Sequence, residues 1–443
     1  MNEKLFDIIK YAYNNSDFYK EKLRPIFEKN IDEISLEEFK TVDCVSRLDL
    51  INNVSDILSY DYKYLNRKDL ITERTSGSTG ENVTVYWKHS DWIKSNYYLW
   101  EKRHEWYGIK PSDKMCTFHT RTNIGRSALH FDNRRIIRSH AQLSFSAVNF
   151  NEDDLEEYYN EIIKFRPTWF MMAPTIGLKF VEYCKAKDFM PPPSVKYVEL
   201  FGEMVSEGIR NNMGEFFNNA KIAVMYGAKE VNGIAYTCPR GKMHVLNENV
   251  HIDVDEDDNI ILTNLVNEAF PIIRYKIGDK VKVSNCEKCD CGTNGLIIDK
   301  ILGKSTRLEY LDKKSGITYY LLSNVIDNVD AMFDHPILQY KVLFGKHPTI
   351  MLYCRENYKN WHKTISDEIR HKVDSIIKNC ELFIQFSESP LNANSATGQK
   401  RNKNTQKFPE QGLPVADWSH RKNFPGFSFS SLSFNITNNK NND

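Results

Sequence analysis

Apolar residues at helical intervals mark the first seventy positions. Leu5, Ile8, Ile9 and Tyr11 fall together, so residues 5–69 read as mostly helical. Residues 81–87 alternate polar and apolar and predict a strand. Asp91 then opens a helix as its cap. From residue 153 the pattern becomes regular. Residues 153–165 are helical, with acids in the first turn where the helix dipole favours them. A short apolar run bounded by prolines occupies 169–173, and a helix covers 176–187. Residues 195–201 predict a strand, 206–217 a helix and 222–226 another strand. Short apolar strands alternating with helices imply parallel β–α–β units. In such sheets ligands sit beyond the carboxyl ends of the strands. Strand-rich sequence follows at 259–264 and 271–279. Residues 308–390 then read strand, strand, helix (324–333), two strands around Gly345 and Lys346, helix (366–378), strand (382–386). That is an α+β unit of its own. Beyond Asn392 polar residues prevail, and 435–443 is too polar to bury anything, which predicts disorder.

A chain of 443 residues has room for two or three domains. Lys+Arg and Asp+Glu both total 59, so no net charge points to nucleic acid or an anionic membrane as main partner. No apolar run reaches the roughly 18 residues that a bilayer span requires. The N-terminus lacks an apolar signal core, and nine cysteines, odd in number and unevenly spaced, suit a reducing compartment. A soluble cytoplasmic protein is the expectation.

Residues 75–80 read Thr-Ser-Gly-Ser-Thr-Gly. Two glycines let the backbone turn tightly and approach a ligand, while four hydroxyls and free N–H groups can donate to phosphate oxygens. No Gly-Lys-Ser/Thr ends the segment, so it is not a P-loop. A Ser/Gly surface linker is the alternative. Two polar clusters fall at strand ends: Gly202-Glu203, and Tyr226-Gly227-Ala228-Lys229-Glu230. The second offers a ring face, open backbone and a carboxylate suited to a metal; each taken singly is also an ordinary turn. Cys238 and His244 precede Cys286, Cys289 and Cys291, all on turns with Gly or Pro. Such spacing suits structural Zn²⁺, the alternative being reduced thiols with no metal.

Taken in order, these pieces resemble the adenylate-forming ligase superfamily, and within it the phenylacetate–CoA ligase-like branch that includes capsular polysaccharide biosynthesis members. The resemblance covers residues 10–405. It rests on the leader (Ser16-Asp-Phe-Tyr-Lys and Ser46-Arg-Leu-Asp-Leu), residues 75–80, the two strand-end clusters, Arg274-Tyr-Lys-Ile-Gly-Asp279 and Gly303-Lys304. It implies an α/β fold: a large N-terminal adenylate-forming domain with parallel sheets and a small mobile α+β C-terminal domain. Residues 1–70 would be a helical leader, 71–302 the adenylation core, 303–405 the C-terminal domain and 406–443 a tail. ATP and a carboxylic acid would give an acyl-adenylate and pyrophosphate.

By the resemblance, Ser76, Gly77, Ser78, Thr79 and Gly80 hold the β- and γ-phosphates. Gly202, Glu203, Tyr226 and Gly227 line the adenine, Asp279 takes the ribose hydroxyls, and Lys304 stands at the hinge. Glu230 binds Mg²⁺ and Lys400 is the adenylating lysine. Two positions depart from the pattern. The hinge lacks its usual acid, leaving Thr306 as the swivel residue, and Gly398-Gln399-Lys400 replaces Gly-Lys, so Gln399 competes for the lysine's place. The branch also implies Zn²⁺ on Cys238, His244, Cys289 and Cys291, with Cys286 a spare or substitute. The acid is aryl or related, walled by Phe118, His119, Phe145, Trp169, Phe170 and Ile234, residues that core packing would explain as well. The acceptor is coenzyme A. The alternatives are a carrier-protein thiol, an amine, transfer of AMP, or a weakened relative that only binds nucleotide. No nucleic-acid or membrane partner is expected, and the oligomeric state is open, a homodimer included.

Overall fold

The computed structural model describes residues 1–29, 33–63, 69–75, 83–119, 136–146, 152–218, 220–304, 310–312, 317–333, 335–343, 348–376, 381–389 and 391. Its organising element is a mixed sheet of twelve strands. The parallel half runs Gln142–Ser146, Met115–His119, Trp169–Met172, Tyr197–Phe201 and Lys221–Ala228, side by side in that order. Ile136–Arg138 closes the outer edge antiparallel. At Lys221–Ala228 the direction reverses. The chain hairpins into Asn232–Thr237, and the sheet continues antiparallel through Met243–Val245, Gly295–Lys304, Tyr275–Cys286, Asn259–Asn264 and Val250–Val254.

The parallel units expected from the sequence account for three of the five parallel strands, Trp169–Met172, Tyr197–Phe201 and Lys221–Ala228. Parallel pairing needs a crossover, and helices Glu152–Phe165, Pro174–Ala186 and Glu207–Phe216 supply it. After Ala228 the sheet goes on through hairpins and loops without crossover helices, and its neighbours are antiparallel. The two faces carry separate cores. Along Tyr197–Phe201, Val198 and Leu200 join Phe170 and Met172 beneath the crossover helices. Tyr197 faces the other way, with Trp169 and Met171, under the helix His89–Tyr107. Asp91 does not cap that helix. Lys88 is its N-cap, and the Asp91 carboxylate instead accepts the Glu268 N–H at 3.2 Å and pairs with Lys88 at 3.4 Å.

The leader packs into the antiparallel half. Leu5, Ile9, Tyr19 and Leu23 share a core with Ile260, Leu262, Ile273 and Tyr275. Val45 forms a parallel bridge with Tyr275. Arg274, in the left-handed region at φ +51°, sends its guanidinium to Val42 O (2.7 Å) and the Asp253 carboxylate (3.2 Å). The sequence expectation of extended structure from 271 fails there, because the strand begins only at Tyr275.

Strands Ile337–Leu343, Thr349–Cys354 and Phe383–Phe386 form a second sheet, covered by helices Tyr319–Met332 and His362–Ile376. This C-terminal unit has its own core, including Leu322, Ile326, Ile350 and Ile369. It docks on helix Glu207–Phe216, and a Cβ at Gly208 would stand 2.4 Å from Ile337 O. Among the described residues, no helix is long and apolar enough to cross a membrane.

Candidate functional site

The reversal of the sheet is where the predicted residues meet. Gly227 sits where a Cβ would come within 2.6 Å of Asn232 O, so the hairpin closes only around glycine. Asn232 takes φ +61° to complete the turn. A buried network clamps it from below. Asn249 Nδ2 donates to Val231 O (2.9 Å) and Gly233 O (2.6 Å), while Ser95 Oγ donates to Asn249 Oδ1 (2.6 Å) and accepts from Asn232 Nδ2 (3.1 Å).

This turn presents Glu230, only 3% exposed, to the Tyr275 hydroxyl, which donates to Oε1 at 3.3 Å. The Tyr226 hydroxyl donates to Asp279 Oδ2 at 2.8 Å. Tyr275 and Asp279 lie four residues apart on one strand and so share a face. Two phenol–carboxylate pairs thus stand together. Burial, then the Asp279 charge, pushes the Tyr226 phenol well above its ordinary value. Burial, then Glu230, does the same to Tyr275. Both phenols stay protonated and donate, each fixing one carboxylate oxygen.

Ser76, Gly77, Ser78, Thr79, Gly80 and Lys400 lie outside the described residues. The base of the Ser/Gly segment is defined. Strands Ile71–Arg74 and Thr84–Trp87 pair antiparallel, the second lying where the alternating pattern predicts a strand. Thr75 N–H donates to Val83 O and Val83 N–H to Thr75 Oγ, both at 3.0 Å. Arg47 Nη2 reaches Thr75 Oγ at 3.1 Å, and Lys229 Nζ lies 3.3 Å from the Glu73 carboxylate. The base of the segment is therefore tied to the leader through Thr75 and to the Glu230 turn through Glu73.

Lys304, the expected hinge residue, ends a strand and stands opposite Asp279 in register. Gly202, at φ +81°, follows Phe201, which pairs with Met225, and so lies level with Tyr226. Glu203 turns away to the N-terminus of helix Pro174–Ala186, which has no side-chain cap of its own. It accepts Thr175 N–H at 2.9 Å and Thr175 Oγ–H at 2.6 Å.

Behind the hairpin, Cys238, His244, Cys289 and Cys291 place their ligand atoms within 4.8 Å of one another. Cys238 Sγ and Cys289 Sγ are 4.0 Å apart, and Cys291 Sγ is 3.4 Å from His244 Nε2. Those separations are edges of a tetrahedron around a metal with bonds of about 2.0–2.3 Å, and too long for a disulfide. Burial, then Lys242 and Lys102, lowers the His244 imidazole below its ordinary value and keeps it in the neutral, ligating form. Cys286 stands outside the four and accepts from Lys242 Nζ at 3.3 Å.

The predicted acid-pocket residues do not converge. Phe118, Phe145 and Phe170 belong to one core, Trp169 to the opposite face and Ile234 to the leader core, all at most 3% exposed. The His119 side chain lies outside the described residues. Beside Trp169 is a group that the sequence reading passed over. Arg103 makes a bidentate contact with Glu199 at 2.7 and 2.5 Å, and the hydroxyls of Tyr197 and Tyr236 add to it at 3.0 and 2.8 Å. Burial pushes the Glu199 carboxyl up, but Arg103 and the phenols outweigh it and hold it below its ordinary value. Ser95, Asn249 and Thr175 carry no sequence signal, and Arg47 and Tyr275, though inside quoted motifs, carry none for the contacts found here, because each acts through a partner distant in sequence.

No family model matches the chain. Among curated proteins it is similar to Protein CapK of Staphylococcus aureus, 22% identical over 340 residues, which cover 74% of this chain and 72% of that protein. Among solved structures it is similar to 2-hydroxyisobutyryl-CoA ligase in the postadenylation state in complex with 2-HIB-AMP. The TM-score is 0.65 at 15% identity, over 87% of this chain and 84% of that one. The same ligase with 2-HIB-AMP and CoA in the thioesterification state gives 0.54 at 16% identity, over 89% and 87% of the two chains. At these identities the likeness is one of fold.

Proposed function

We propose, for a chain with the fold of the adenylate-forming ligases, that it activates a carboxylic acid with ATP and passes the acyl group to the thiol of coenzyme A. A carboxylate oxygen attacks the α-phosphorus, a new O–P bond forms, and the α–β bridge breaks to release pyrophosphate. The thiolate then attacks the acyl carbon and AMP leaves. The observation that carries this reading is the paired set Tyr226–Asp279 and Tyr275–Glu230 beside the base of the Ser/Gly segment. It joins a ring and a carboxylate suited to a nucleoside with a second carboxylate beside a stretch suited to phosphates.

In this reading Asp279 accepts from the ribose hydroxyls while the Tyr226 hydroxyl orients it. The backbone and hydroxyls of residues 76–80 take the phosphates. Glu230 holds Mg²⁺, which when bound neutralises triphosphate charge. Such a displacement needs alignment and charge stabilisation more than covalent help from the protein. Residues 303–405, swivelling about Lys304 and Thr306, are the mobile domain, and Lys400 is its adenylating lysine. An aryl acid is the preferred substrate class.

ATP–pyrophosphate exchange across a panel of aryl and short aliphatic acids tests the first half-reaction. Acid-dependent exchange is the expected result; none with any acid overturns the reading. Supplying coenzyme A, an amine or a carrier-protein thiol to the adenylate then identifies the acceptor.

Cys238, His244, Cys289 and Cys291 hold a structural Zn²⁺, since four protein ligands leave no open position for water. Protein purified without added metal is expected to carry about one Zn²⁺ per chain. Cys289→Ser loses it and melts several degrees lower, whereas Cys286→Ser retains it. Absence of zinc, with every thiol freely titratable in the folded protein, removes the site.

A further inference from the structure

The turn after Gly202 lies level with Tyr226; Val205 at its far end packs on the core beneath the crossover helices, and Gly202 and Met204 are exposed. Gly202 has nothing within 4 Å of where a Cβ would be, and Met204 is 51% exposed. The turn's polar anchor is the Glu203 carboxylate on Thr175. The Thr175 hydroxyl has a second partner, and it belongs to the C-terminal unit: Gln339 Nε2 donates to Thr175 Oγ at 3.2 Å. Gln339 is itself oriented by its amide oxygen, which accepts Leu391 N–H at 2.7 Å. A directed chain results, from Leu391 N–H to Gln339, from Gln339 to Thr175, and from Thr175 to Glu203. A threonine hydroxyl has one proton. Accepting from Gln339 leaves that proton committed to Glu203, and successive hydrogen bonds polarise one another.

The chain crosses the seam where the C-terminal unit docks. Ser206 Oγ donates to Leu338 O at 2.9 Å, Arg355 pairs with Glu215 at 2.7 Å, and Tyr353 reaches Glu182 at 3.3 Å. All of these bind the unit to helices Pro174–Ala186 and Glu207–Phe216 or to the Ser206 cap. Among the described residues, the Gln339 contact is the one of these that continues through Thr175 to Glu203 and the turn after Gly202.

We propose that Thr175 is a positioning residue that reads the docking of the C-terminal unit and transmits it to the adenine-side turn. This rests on the adenylation reading of the site. With Gln339 seated, Glu203 is held and the turn stands against the nucleotide. When the unit leaves, the hydroxyl is released from its orientation, the turn loosens and nucleotide affinity falls. Undocking is thereby linked to nucleotide release.

Calorimetric titration with ATP alone, without any acid, tests the link in wild type, Thr175→Val, Thr175→Ser, Gln339→Ala and the Thr175→Val/Gln339→Ala double variant. One hydrogen bond corresponds to roughly three- to tenfold in affinity. Thr175→Val and Gln339→Ala are each expected to weaken ATP by that factor, the double variant no further than the weaker single, and Thr175→Ser to bind as wild type does. Hydrogen exchange of the nucleotide-free protein over residues 201–205 is expected to quicken in Gln339→Ala, although the substituted residue lies in the other unit. Additive losses, or wild-type affinity and wild-type exchange in Gln339→Ala, overturn the proposal. If wild type binds no ATP, the adenylation reading fails, and the exchange arm alone decides whether the seam controls the turn.

Discussion

Replacing Glu230 by glutamine is expected to cut Mg²⁺-dependent ATP–pyrophosphate exchange by on the order of a hundredfold or more, the scale of losing one charged stabiliser from a transition state. The fold should survive. Glu230 is buried in the hairpin turn and accepts from the Tyr275 hydroxyl. A glutamine carbonyl can still accept that hydrogen bond, though more weakly than a carboxylate, so the substitution chiefly removes charge. Tyr275→Phe is the control: it keeps the carboxylate and removes its orienting donor, and should cost far less. A Glu230→Gln protein that exchanges at the wild-type rate, with unchanged Mg²⁺ dependence, would mean that the metal is held elsewhere.

Lys400→Ala is the second large effect expected, a loss of acyl-adenylate formation on the order of a hundredfold or more. Thioester formation from pre-made acyl-adenylate should be nearly untouched, since in the proposed cycle the lysine swings away before the thiol arrives. Lys403→Ala should do little to either step. The two lysines share one run of basic residues, so a general electrostatic effect would appear in both variants. Equal, small losses would show that Gln399 or another residue fills the position. Loss of both half-reactions would point to damaged folding instead.

The alternation of short apolar strands and helices made the parallel strands from Trp169 to Ala228 legible, because each crossover helix carries its own amphipathic signal within one window; Met115–His119 and Gln142–Ser146 lie before that pattern starts and were not. The antiparallel half read only as strand-rich. Its pairing of Tyr275–Cys286 with Gly295–Lys304 and Asn259–Asn264 is decided by partners and turns, not by local pattern. The site divides in the same way. Gly227 and Glu230 were visible because a tight turn and a carboxylate announce themselves in five residues. That Tyr226 would hold Asp279, 53 residues away, was not visible, since only the curled sheet brings them together. Asp91 misled for a related reason: an acid at a helix start resembles a cap, but Glu268 N–H and Lys88 claim it first. The four-ligand cluster was the most legible part, because thiols and an imidazole have few other uses at that spacing.

The stitching of the leader to residues 268–276 bears on how the chain is made. Tyr19 receives Ile273 N–H, Val45 N–H bonds Arg274 O, and Arg274 reaches back 232 residues to Val42. At ribosomal rates of about 5–20 residues per second, that gap is roughly 10–50 s of synthesis. Throughout it the apolar faces of Leu5, Ile9 and Leu23 have no partner yet translated from the strands they will cover. The leader is thus translated well before the strands it packs against, and it is among the last parts of this core to find its place.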